Sequence, residues 1–129
     1  MAFTGMQATI NLCIVREGQL TNELTDIMTQ MTQACRETAQ QAEEVSAAKR
    51  NIRTDYEYGV IDDTTYQDRK DEVQEEYELA LAQLTAWESE LESQKNELET
   101  EIQATTAYKE SFLSAAKQNI QKDFKYGGN

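Results

Sequence analysis

The side chains with most to offer chemistry in this chain are two cysteines, one tryptophan and several closely spaced carboxylates. Cys13 and Cys35 stand 22 residues apart. At about 1.5 Å rise per residue that is roughly 33 Å along a helix, beyond disulfide reach. Neither has a second cysteine at metal-binding spacing. The chain also lacks histidine, the commonest general base and metal ligand. Glu72, Glu75 and Glu76 fall on one helical turn, as do Glu97 and Glu101. Such pairs can hold a cation, yet a helical-bundle di-iron site needs Glu-x-x-His. They read as a solvated face. No Gly-rich phosphate loop is present. The expectation is a protein that is not an enzyme, with no catalytic residue, no cofactor and no metal.

The elements that carry these side chains follow from composition. The 129 residues include no proline and only five glycines, so little in the chain stops a helix. Length fits a single domain, 1–129. Twelve basic against 24 acidic residues give net −12, a field that repels duplex nucleic acid. The charge is uneven: residues 62–101 carry 14 acidic and 3 basic side chains, and 102–129 carry 2 and 4. An acidic middle and a basic end favour staggered contacts between copies. No apolar run approaches a membrane span. The N-terminus lacks the basic n-region of a signal peptide, so none is expected.

One stretch punctuates the pattern. Gly59 suits the left-handed position that ends a helix. Asp62 suits the N-cap of the next, with Asp63 in the positive first turn. Ile61 and Tyr66 have the spacing of a hydrophobic staple around that cap. Upstream, a seam in steps of three and four runs from Ile10 through Leu24, Ile27 and Met31 to Ile52. Ten of its thirteen positions are apolar; Glu17, Thr38 and Gln41 are the exceptions. Downstream, Val73, Tyr77, Ala80, Leu84, Trp87, Leu91 and Leu98 form a second seam, in which Trp87 is the largest anchor. A four-residue step then shifts the strip to Ile102, Thr105, Lys109, Phe112, Ala116, Ile120 and Phe124, a stutter. Heptad spacing held this long favours a coiled coil. The predicted fold is all-α: a long two-helix antiparallel coiled-coil hairpin. Helix one spans about 6–58, the turn 59–62 and helix two about 63–125. Gly18 is a soft point in the first helix.

Residues 1–15 contain no charged side chain, in a chain that is 28% charged. Phe3, Met6, Ile10 and Ile14 recur there at helical spacing and are the candidate self-association strip. A loose tail is the competing reading.

The opening Gly5-Met6-Gln7-Ala8, with Asn22 and a Thr/Gln-rich helix, resembles the N-terminal helices of flagellar axial proteins and type III secretion filament subunits. That resemblance implies long helices packed into a tube after export without a signal peptide, hence a cell-surface appendage. The chain is also similar to coiled-coil hairpin escort proteins of the flagellar export apparatus, which implies a cytoplasmic adaptor. Gly59-Val60-Ile61-Asp62 and Tyr66 look like a short helical oligomerisation motif. The expected function is a structural, self-associating subunit of a filament or needle-like appendage, forming a homo-oligomer or polymer. Alternatives are a cytosolic adaptor or escort that binds protein partners, and a membrane-surface remodelling hairpin. The lack of Lys and Arg before Arg16 weighs against the membrane.

Overall fold

A computed structural model of the chain describes the backbone of residues 2–127 and the side chains of residues 5–122. Helix α1 spans Ala2–Glu57 and helix α2 spans Asp63–Gly127. They turn back on one another as the predicted helical hairpin. The helix starts four residues earlier than expected at the first end and runs two residues further at the last. Gly5 does not interrupt α1, and α1 also passes unbroken through Gly18.

The turn is built by two complementary caps. Gly59 has φ +74°, the only positive φ among the described residues. The Gly59 N–H donates to the Tyr56 carbonyl at 3.1 Å, and the Val60 N–H donates to the Asp55 carbonyl at 2.8 Å. That pair of bonds is a Schellman motif, which satisfies carbonyls the helix end would leave open. Across the turn, Asp62 Oδ1 accepts the Thr65 N–H at 2.7 Å. The Asp62 carbonyl accepts the first bond of α2, from the Tyr66 N–H at 2.9 Å. Asp62 is therefore the N-cap. Ile61 and Tyr66 are both half-buried. Tyr66 stacks on Tyr56, with ring centroids 4.5 Å apart, and the Tyr56 hydroxyl donates to Asp63.

Cross-helix partners fix the antiparallel register. Asn119 meets Met6, Lys109 meets Glu17, Glu88 meets Thr38, and Gln74 meets Lys49. All thirteen positions of the first seam are buried or half-buried. So are Val73 through Leu98 on the second, and the shifted positions Ile102 to Ala116. At its far end the strip departs from the expected one. Ile120 is exposed, whereas Asn119 is half-buried with its amide 3.5 Å from Met6 Sδ. Successive steps of four outrun the 3.6-residue period, so the strip reverts to a step of three after Ala116.

The chain divides into two compact units, and both helices contribute to each. The terminal unit joins Met1–Met28 to Ser93–Asn129, and the hairpin unit is Thr29–Glu92. The terminal unit buries Ile10, Cys13, Leu20 and Ala116; the hairpin unit buries Ala34 and Leu91. In the hairpin unit, small or polar residues of α1 are level with bulky ones of α2. Ala34 is level with Leu91, and Gln41 shares a shallow groove with Leu84 and Trp87. The weak stretch of the first seam is thus matched by the strong stretch of the second. Ala48 and Tyr77 likewise border one groove near the turn.

Exposed threonines on α1 turn their hydroxyls back to the helix. Thr9, Thr21, Thr25 and Thr54 each donate to the carbonyl four residues earlier, at 2.8–3.0 Å. That geometry lets a Thr-rich sequence stay helical.

Candidate association surface

Three polar exceptions to the seams, Glu17, Lys109 and Thr38, find partners inside the hairpin. Lys109 Nζ lies 2.9 and 3.1 Å from the two carboxylate oxygens of Glu17, with both side chains about one-fifth exposed. One charge on each seam meets the opposite charge on the other. Thr38 Oγ1 lies 2.9 Å from the Ala34 carbonyl and 3.2 Å from Glu88 Oε1. Among the described residues, no three Cys, Asp or Glu side chains converge to hold a metal ion. Among those residues, no helix is long and apolar enough to cross a membrane. Cys13 is buried and Cys35 exposed.

The strip named from sequence does not sit together on one surface. Ile10 is only 3% exposed and belongs to the intramolecular seam. Met6 is half-buried against Asn119. Ile14 is exposed, and the side chain of Phe3 lies outside the described residues. Leu91 is buried, and Leu24, Ile27, Met31, Leu84, Trp87 and Leu98 are half-buried.

What the hairpin leaves exposed is a different apolar set. Leu12, Ile14, Val15, Met28, Tyr108, Leu113 and Ile120 lie in the terminal unit; Leu12 is 69% exposed and Tyr108 55%. The hairpin unit exposes Tyr56, Tyr58 and Val60 around the turn, and Leu79. A helix turns about 100° per residue, so the seams sort these side chains. Leu12 and Tyr108 fall on one flank, where they border an open groove with Thr9, Arg16 and Ala104. Ile14, Leu113 and Ile120 fall on the opposite flank, and Val15 points away from α2. Sequence reasoning passed over Leu12, Val15, Tyr108 and Leu113 because it followed seams. The available signal was that these large apolar residues stand off them.

Charge sharpens the contrast. The hairpin unit carries 16 acidic and 6 basic residues, net −10, whereas the terminal unit carries 8 and 6, net −2. Along the Leu12 flank, Arg16 Nη2 bridges to Glu101 Oε2 at 3.1 Å. Beyond that bridge the groove continues between Glu23, Asp26 and Glu97 over a floor of Ile27 and Leu98. Near the turn two groups titrate away from their ordinary values. Hydrogen bonding from Thr65, its hydroxyl foremost and then its N–H, holds the Asp62 carboxyl low. The hydrogen bond to Asp63, with the charge of that carboxylate, raises the Tyr56 hydroxyl.

Fold and surface together define a helical hairpin with an almost neutral, apolar-sided terminal unit and a strongly acidic hairpin unit. No protein family, curated protein or solved structure matches the chain. The reading of its function rests on that surface.

Proposed function

We propose that this protein is a structural subunit that self-associates through its terminal unit, building a homo-oligomer or filament. One observation carries the reading: exposed large apolar side chains concentrate where the net charge is nearly nil. A net −12 chain repels its copies, so association needs a surface where repulsion is small and apolar area is available. Leu12, Ile14, Tyr108, Leu113 and Ile120 offer that surface on both flanks of one helix pair, with Val15 on its outer side. Each large side chain fully buried contributes about 1.5–3 kcal/mol before ordering costs. Contacts on two flanks let assembly extend past a single pairing, as a filament requires.

Sedimentation and light scattering across protein concentration, with negative-stain microscopy of the assembled fraction, test this. Oligomers that dissociate when Leu12→Ser and Val15→Ser are combined, with helicity unchanged, support the reading. A chain that stays monomeric at high concentration defeats it and points instead to an adaptor whose groove takes a different protein.

A further inference from the structure

We propose that the terminal unit docks on a second copy of itself across a two-fold axis. In this arrangement α2 lies antiparallel to α2 along the flank that carries Leu12 and Tyr108. The inference rests on the self-association reading above and adds its geometry. Heptad-spaced positions share one face of a helix. On α2 that face reads Glu101, Tyr108, Ala115 and Lys122, seven residues apart. It runs from acidic through aromatic and small to basic.

Such an order is self-complementary only when two copies run in opposite directions. With the axis between residues 111 and 112, Tyr108 of each copy lies over Ala115 of the other. The same register sets Lys122 against Glu101 of the second copy, twice by symmetry. Large meets small and basic meets acidic at a single setting. Arg16 occupies Oε2 of Glu101, and a carboxylate accepts at both oxygens, so Lys122 can engage Oε1. On α1, Leu12 comes level with the axis and closes over the groove beside Tyr108. A parallel pairing along the same face would stack Lys122 on Lys122 and Glu101 on Glu101. A two-fold contact of this kind is isologous, the commonest form of self-association.

Cysteine cross-linking of the full chain tests the arrangement. In a Cys35→Ser background, which removes the exposed thiol, Ser111→Cys and Leu113→Cys are compared under mild oxidation. Both residues are exposed, on opposite flanks of α2. The concentration is one at which sedimentation shows self-association of each variant. Ser111→Cys sits beside the axis and is expected to give mainly a covalent dimer, and Leu113→Cys little. Separately, Lys122→Glu is expected to weaken dimerisation about tenfold, whereas Lys122→Arg leaves it unchanged. If the variants associate but Ser111→Cys does not cross-link, or Leu113→Cys cross-links equally, this geometry is wrong and self-association stands. If neither variant nor the parent chain associates at any concentration, both readings fall together.

Discussion

Asp62 and Gly59 show how much single residues decide here. The Asp62 carboxylate caps α2, and its titration lies below the ordinary value of 3.8 because Thr65 hydrogen-bonds its charged form. A depressed folded value means the added stability is present above pH 3.8 and is lost as pH falls through the lowered value. Thermal melts from about pH 5 to about pH 2 should show Asp62→Asn losing less on acidification than the parent. An Asn cap keeps an acceptor but has no proton to gain. Parallel pH dependence in the two chains would disprove the assignment. The glycines give a contrast. Gly59 has φ +74°, so Gly59→Ala should cost about 1–2 kcal/mol for a left-handed non-glycine residue. At Gly18 an added Cβ meets nothing within 4 Å, so Gly18→Ala should gain about 1 kcal/mol from helix propensity. Denaturant unfolding measures both, and equal signs would refute the pair. These residues were readable from sequence because cap chemistry is local: a glycine and an aspartate at fixed spacing carry their own geometry. The staple spacing of Ile61 and Tyr66 was equally visible. The stacking of Tyr66 on Tyr56 was not, since it depends on how the chain returns across the turn.

Helix pairing is a non-local matter, and there the sequence was informative about faces and silent about partners. Both seams stand where their three-and-four spacing put them, down to the four-residue shift after Leu98. The far end failed at Ile120 because accumulated steps of four rotate off the contact line. Glu17 and Lys109 looked like separate flaws, one in each seam; only the register reveals them as one ion pair. Burying most of both side chains makes the pair a register device as much as a source of stability. Glu17→Gln or Lys109→Met alone should destabilise the hairpin by about 1–3 kcal/mol, between the exposed and buried extremes. The double change Glu17→Leu with Lys109→Met should restore the melting temperature, since apolar replacement of a buried pair is often neutral. A double variant as unstable as the worse single change would contradict this account. Trp87 follows similar logic. It is half-buried and lines a groove with Gln41. Trp87→Ala should therefore cost about 2 kcal/mol, less than the 3–5 kcal/mol typical of a wholly buried ring. Its fluorescence should be partly quenched by a water-soluble quencher.

At the scale of the whole molecule, acidic charge is concentrated in the hairpin unit and the larger share of exposed apolar side chains lies in the terminal unit. Under the proposed self-association this bias would govern how copies meet. Lack of charge in residues 1–15 drew the eye to the same unit on which the proposal rests. The face could not be read, because seam residues such as Ile10 are spent inside the hairpin and off-seam residues such as Leu12 are what remain. Two opposed electrostatic effects then act on association. The chains, each net −12, repel one another over any separation within the screening length. The proposed contacts between Lys122 and Glu101 attract, but only twice per dimer and at exposed positions. Exposed pairs contribute about 0–1 kcal/mol each. Twelve net negative charges per copy outweigh them when screening is weak. The Debye length shrinks from about 30 Å at 0.01 M salt to about 8 Å at 0.15 M, which removes long-range repulsion before it removes close contacts. Apolar burial at Leu12 and Tyr108 is insensitive to such screening. Raising salt from about 0.01 to 0.15 M should therefore strengthen self-association, and sedimentation equilibrium at both ends would measure it. Charge-neutralising substitutions confined to the hairpin unit, such as Glu75→Gln with Glu76→Gln, should reproduce part of that gain at low salt. Association that weakens as salt rises would mean that ion pairs drive assembly, and would overturn the primacy given to the apolar terminal unit.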